Sequence, residues 1–475
     1  MAKKKMGDVV VVLPGIMGSE LEQNGKALWA LSGGALWRAL TSLGSNLQAL
    51  TLPPGDGTPA DGIVATRLMP DVQIIPGLWK VDGYDRLARF VADTFEVTEG
   101  ENFFPFPYDW RRDNRIAARM LKEQADGWLE RWRASSGNGA ARLVLLAHSM
   151  GGLVARYFLE VLGGWKQTRA LITFGTPYRG SLNALGFLVN GFEKKVGPFK
   201  VIELTDMLRS FTSIYQLLPI FPCLHPAAGA APVRLTEGPV LPGMDGERVK
   251  QARAFHDEIQ AAAARNRTDE SYHRAGYVTH PVVGIRQPTR QSARWAAGAL
   301  TLLDSYDGGD NGGDGTVPRV SATPIELSND HREIFASETH GSLQNADDVI
   351  VQVEGALSAG ALDLDRFRGG RGGPLLRPTL GAAAAIELGL SVPDSLAQGE
   401  PLIIRARSGR AVDLRATVIR VDEPALAIEV PLARRQGEWH EVEVAPLAPG
   451  DYRVRVAGDA RTVPVTDVLT VVADT

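Results

Sequence analysis

The sequence predicts an α/β protein with a mostly parallel sheet and a helical insertion, followed by a small all-β sandwich. Three observations predict this. First, Val9–Leu13, Arg142–Ala147 and Ala170–Phe174 are continuous apolar runs, the signature of strands covered on both faces. Segments with apolar residues at helical spacing alternate with them, notably Met120 to Trp132 and Leu153 to Phe158. Second, residues 182–280 break that rhythm with many prolines and glycines. This stretch carries one apolar stripe, Leu208, Phe211, Ile214, Tyr215 and Leu218, which predicts a helix with Thr205 as its N-cap. It reads either as a lid over an acyl pocket or as an ordinary helical excursion. Third, beyond the Gly/Arg run Arg366–Pro374 the period falls to two. Ile386–Leu388, Leu402–Ile404, Leu414–Val421, Val442–Val444 and Tyr452–Val456 read as short strands of an immunoglobulin-like sandwich. The expected division is 1–365 for the α/β domain, with the insertion at about 182–280, a linker at 366–379 and the sandwich at 380–475.

A chain of 475 residues exceeds what one core usually holds, in keeping with two domains. It is 44% apolar and 22% charged, with a net charge of −4, so nothing in the charge balance calls for nucleic acid. Cys223 is the single cysteine, which rules out an intramolecular disulfide and suits a reducing compartment. The basic start at Lys3–Lys5 is followed by an apolar run too short for a signal peptide, and no run is long enough to span a bilayer. A soluble cytoplasmic protein is expected.

The strongest chemical signal is Ala147-His148-Ser149-Met150-Gly151-Gly152, lying between a buried strand and a helix. It is close to the G-x-S-x-G nucleophile elbow of α/β-hydrolases, with Ala147 in place of the first glycine. Small residues are needed there because the turn is sharp and the chain passes close to its neighbours. Ser149 is therefore the expected nucleophile.

A serine hydroxyl needs a base, and the base needs an orienting carboxylate; in this fold they follow in the order Ser, acid, His. Asp314, in Gly313-Asp314-Gly315-Thr316-Val317-Pro318, is the expected acid. His340, in a loop before a predicted helix, is favoured as base over His331, whose charged neighbours suggest a solvent-facing position. The acidic run Asp307–Asp314 also suggests calcium, but it lacks EF-hand ligand spacing, and no Cys/His cluster suggests zinc. No metal and no cofactor is expected. The oxyanion hole is assigned to the Met150 N–H and to the Ile16 N–H in Pro14-Gly15-Ile16-Met17-Gly18-Ser19, a segment that also reads as a plain strand-exit turn.

Together these segments resemble the lecithin:cholesterol acyltransferase family, part of the lipase, phospholipase and acyltransferase group of α/β-hydrolases. The resemblance is carried by Leu13–Glu22, Pro107-Tyr108-Asp109-Trp110-Arg111, Ala147–Gly152 and Gly313–Pro318, and covers about residues 8–355. It implies a Ser149–Asp314–His340 triad cleaving a lipid acyl ester, or passing the acyl group to a lipid alcohol. A lid tryptophan near the acyl pocket is also implied, and Trp29 and Trp37 fall in the comparable region as substrate contacts. Asp109 and Arg111 are expected to form a buried structural ion pair rather than touch substrate. A lipid or other acyl ester, with transient contact to a lipid surface, is the expected partner. A third reading makes the chain a binding protein that docks through its C-terminal domain, and the triad alone does not choose between ester and amide.

Overall fold

The computed structural model describes residues 2–29, 49–53, 61–75, 79–196, 200–227, 229–327, 333–361, 386–435 and 437–473. Trp37, His331 and the linker expected at 366–379 lie outside the described residues.

Six strands form the central sheet: β1 (Val9–Leu13), β2 (Phe103–Pro105), β3 (Leu143–His148), β4 (Thr168–Phe174), β5 (Val278–Gly284) and β6 (Ile334–Ala336). Their order across the sheet is β6-β5-β4-β3-β1-β2, and every neighbouring pair is parallel. The apolar runs are explained by burial on both faces. Val9, Val11, Leu13, Leu143 and Leu145 point into one core, with α2 (Asn114–Ser136) and α3 (Gly151–Arg156). Val10, Val12, Val144 and Leu146 point into a second core, with α1 (Asp85–Thr94) and α8 (Asp347–Ala361). Helix α2 starts where the Asp113 side chain accepts the Arg115 N–H and stops at Gly137, whose φ of 70° few other residues adopt.

The chain between β4 and β5 builds a cover over the carboxyl ends of the strands. It contains α4 (Leu182–Asn190), α5 (Thr205–Ser210), α6 (Thr212–Gln216) and α7 (Gly246–Asn266). The single helix expected from the stripe is in fact two, broken at Phe211, whose backbone is extended. Thr205 is not the N-cap but the first helical residue, and its hydroxyl accepts the Phe192 N–H. The break is held from outside. The Arg248 guanidinium on α7 donates to the Arg209 carbonyl at 2.6 Å and the Ser210 carbonyl at 2.8 Å, occupying acceptors that a longer helix would use.

His256 on α7 is fully enclosed and donates Nε2–H to the Gln216 carbonyl at 2.8 Å. Burial pushes its pKa down from 6.5 to about 4. The unfolded chain therefore takes up a proton below pH 6.5 that the folded chain refuses until about pH 4, so stability falls as pH drops through that window. The limiting slope is about 1.4 kcal/mol per pH unit for one proton. In urea titrations between pH 6 and 4.5, His256→Gln is expected to lose stability less steeply than the parent by up to that amount. Identical slopes would contradict the buried neutral imidazole.

The C-terminal strands are β7 (Leu388–Ser391), β8 (Ser395–Ala397), β9 (Leu402–Ser408), β10 (Leu414–Arg420), β11 (Ala427–Arg434), β12 (Trp439–Val444), β13 (Gly450–Ala457) and β14 (Val465–Val472). They run in the order β7-β9-β12-β11-β10-β13-β14-β8. The two layers are joined, because β11 pairs with β10 along its length and with β12 at its end. Alternate residues such as Leu402, Ile404, Ala416, Val418, Val454 and Val456 fill the core between them.

Candidate active site

Ser149 sits at the end of β3 with a φ of 51°, a left-handed conformation that costs energy for a residue with a side chain. The strain is imposed by the surroundings. The Ser149 N–H donates to the Phe174 carbonyl at 2.8 Å, and Thr176 Oγ1 donates to the Ser149 carbonyl at 2.9 Å. A Cβ added to Gly151 would lie 2.4 Å from the Pro14 carbonyl oxygen, and one added to Gly152 would lie 2.0 Å from Thr176 Oγ1. The glycines of the motif are thus dictated by the close passage of β1 and β4.

The other two residues come from separate loops. His340 Nε2 lies 2.9 Å from Ser149 Oγ, and His340 Nδ1 lies 2.7 Å from Asp314 Oδ2. The Asp314 carboxylate is fixed on its far side, since Oδ1 accepts the Thr316 N–H at 2.9 Å and the Val317 N–H at 2.7 Å. The His340 N–H donates to the Asp314 carbonyl at 2.8 Å, tying the two loops together. Gly175 packs against the pair: a Cβ there would stand 2.6 Å from Asp314 Oδ2. All three side chains are buried except for a small opening onto a cavity of about 670 Å³.

The loop after β1 lies directly over the serine, for a Cβ on Gly15 would meet Ser149 Cβ at 2.8 Å. Ile16 lines the cavity beside Ser149. Among the described residues neither the Ile16 N–H nor the Met150 N–H has a hydrogen-bond partner. Met150 also opens α3, whose N-terminal dipole favours negative charge at this point.

Aromatic side chains hold that loop. Tyr108 Oη donates to the Pro14 carbonyl at 2.9 Å, Trp110 Nε1 to the Ser19 carbonyl at 3.0 Å and Trp29 Nε1 to the Met17 carbonyl at 3.0 Å. This explains why Pro107–Arg111 and Pro14–Ser19 occur together: one motif is the support of the other. Arg111 is fully buried and forms a two-pronged pair with Asp109 at 2.9 and 2.7 Å, a structural role as expected. Trp29 does not reach the cavity. It is buried edge-on against Trp110, so the substrate contact expected of it is replaced by support of the loop.

Two residues that the sequence did not single out complete the site. His148 is buried, and its Nε2–H donates to the His340 carbonyl at 3.0 Å, which leaves Nδ1 to accept from Tyr84 Oη at 2.9 Å. Tyr84 Oη in turn accepts the Gly15 N–H at 2.8 Å. A chain of hydrogen bonds therefore runs from the loop after β1 to the backbone of His340. Burial, then the nearby His340, pushes the His148 pKa down to about 3, so it stays neutral and adds no charge beside His340. The signal was its position next to Ser149; its partner Tyr84 is distant in sequence and carried none.

Among the described residues no group of His, Cys, Asp or Glu side chains is arranged to hold a metal. Asp310, in the acidic run, instead accepts from Gln291 Nε2 and the Gly312 N–H. Among the described residues no helix is long and apolar enough to cross a membrane.

Residues 80–244 match the family model described as lecithin:cholesterol acyltransferase. Over that segment the chain is similar to the lecithin:cholesterol acyltransferase family. The matched segment includes the elbow and Pro107–Arg111, whereas Pro14–Ser19 and Gly313–Pro318 lie outside it. The human protein named lysosomal phospholipase A and acyltransferase is 31% identical over 128 residues, 26% of this chain and 29% of that protein. The Arabidopsis thaliana protein named lecithin-cholesterol acyltransferase-like 4 is 27% identical over 236 residues, 44% of this chain and 42% of that protein. The chain thus aligns with less than half the length of each of these relatives. Among solved structures, Bacillus licheniformis lipase BlEst2 in its propeptide form covers 97% of the chain at 11% identity and a TM-score of 0.32.

Proposed function

We propose that this chain is a lipid acyl-ester hydrolase acting through an acyl-enzyme on Ser149. The observation that carries the reading is the 2.9 Å approach of His340 Nε2 to Ser149 Oγ, with Asp314 behind the ring. In this reading His340 takes the Ser149 proton as Oγ attacks the ester carbonyl. The carbonyl oxygen gains charge against the Ile16 and Met150 N–H groups, each worth about 3 kcal/mol in the transition state. Asp314 accepts from Nδ1 and stabilises the imidazolium. His340 then gives its proton to the departing alcohol. Water, activated by the same imidazole, resolves the acyl-enzyme and returns the site to its starting state.

The lipid character of the acyl group is supported by the cover: Phe187, Leu208, Ile214, Leu217 and Leu302 form the apolar side of the cavity. Transfer to a lipid alcohol in place of water is a second outcome of the same acyl-enzyme, favoured by the word acyltransferase in the relatives' names. The test is to supply the full chain with esters and phospholipids of graded acyl length, with and without a long-chain alcohol, and to separate the products. Free fatty acid alone marks a hydrolase, and an acylated alcohol marks a transferase. Inertness toward every ester would contradict the proposal.

A further inference from the structure

The cavity around Ser149 is not closed by the α/β domain alone. Leu390, Ser391 and Val392 at the end of β7, Asp394 and Asp467 all line it together with Ser149 and His340. These residues belong to the C-terminal β-domain, for which the proposed chemistry has no use. The part of the lining they form also differs chemically from the part under the helical cover. Lys80 Nζ stands between Asp467, at 2.7 Å, and Asp394, at 3.0 Å, so this end is polar while the end under α4, α5 and α6 is apolar.

The same strands grip the loop that carries His340. The Thr466 N–H on β14 donates to Glu338 Oε1 at 2.7 Å, and Thr339 Oγ1 donates back to the Thr466 carbonyl at 2.8 Å. Glu338 Oε1 also accepts the Thr339 N–H at 3.0 Å. Gln287 bridges a second point, donating to the Ser337 carbonyl at 2.9 Å and accepting the Leu390 N–H at 2.9 Å. Glu338 is buried, and burial raises its pKa well above the usual carboxylate range, so a neutral acid fits this place. A loop held at three consecutive residues, 337 to 339, has little freedom left at His340.

We propose that the C-terminal β-domain is a working part of the active site: it walls the side that receives the alcohol portion of the ester and, through Glu338, it fixes the His340 loop. This rests on the reading of Ser149 and His340 given above. The leaving oxygen must reach His340 Nε2 to be protonated, so the alcohol lies on the side of the His340 loop, where Thr339, Gly341 and Lys80 meet the β-domain. An acyl chain partitions to the apolar end by the hydrophobic effect, which leaves a polar, hydroxyl-bearing alcohol for the end bordered by Ser391, Asp394 and Asp467. Glu338 is a positioning residue; it touches no reacting atom.

Three variants of the full chain test this. Ser391→Trp adds bulk at an exposed position on the wall. Its selectivity, as the ratio of kcat/KM between bulky-alcohol and ethyl esters of one acid, is expected to fall about tenfold. Its selectivity between long and short acyl chains is expected to stay as in the parent. Glu338→Ala is expected to lower kcat about tenfold or more with KM little changed, because a misplaced base slows chemistry and not binding. Glu338→Gln, which keeps the acceptor oxygen, is expected to recover most of that loss. An acyl-length effect from Ser391→Trp in place of the alcohol effect, or equal kcat in Glu338→Ala and the parent, would overturn the proposal. Its failure is separable from failure of the parent reading, since fluorophosphonate labelling of Ser149 in the unaltered chain depends on none of these variants.

Discussion

Replacing Ser149 with alanine is expected to lower ester cleavage by roughly a millionfold, the scale seen when a triad nucleophile is removed. Ser149 Oγ is the atom that meets His340 Nε2, and no other hydroxyl is placed against that nitrogen among the described residues. Alanine keeps the Cβ and the backbone, so the bonds from the Ser149 N–H to the Phe174 carbonyl and from Thr176 to the Ser149 carbonyl survive. The variant therefore folds as the parent does, and its loss of rate reports chemistry. The rates compared are fatty-acid release from one ester at saturating concentration. A variant that retained a tenth of the parent's activity would point to a nucleophile elsewhere.

Asp314→Asn is expected to cost about 10⁴-fold in kcat with the geometry intact. Asparagine can keep its oxygen on the Thr316 and Val317 N–H groups, which the carboxylate Oδ1 now receives. Its amide nitrogen then faces His340 Nδ1 as a donor. The imidazole must accept there, so its proton moves to Nε2, and the ring can no longer accept from Ser149 Oγ. Asp310 provides the comparison. It lies in the same glycine-rich run but, among the described residues, its carboxylate bonds to Gln291 and the Gly312 N–H and to no histidine, so Asp310→Asn is expected to cost far less. Equal losses from the two substitutions would remove Asp314 from its role as the acid behind His340.

The legible parts of this chain are those where one residue answers to one local demand. The β-branched runs of β1, β3 and β4 could be read because both faces of the sheet are covered, which leaves no polar alternation to confuse them. The elbow could be read because its glycines answer to the close passage of Pro14 and Thr176. The illegible parts depend on distant segments. The helix expected over Leu208 to Leu218 is broken by Arg248, which is brought in by α7. Strand β14 was not foreseen because its period of two is lost. Val465 and Leu469 face the β-domain core, while Val468 packs on Val72 and Ile74 of the other domain. Trp29 shows the same limit at a single residue: it was expected beside the acyl pocket, but its ring turns toward Trp110 and the Met17 carbonyl.

In the proposed function Ser149 is made nucleophilic by His340 and Asp314. Labelling with a fluorophosphonate, followed by mass spectrometry of the peptides, tests it most directly. One adduct is expected, on Ser149, absent from Ser149→Ala and formed much more slowly in Asp314→Asn. Undiminished labelling of Ser149→Ala, or an adduct on another residue of the unaltered chain, would contradict it.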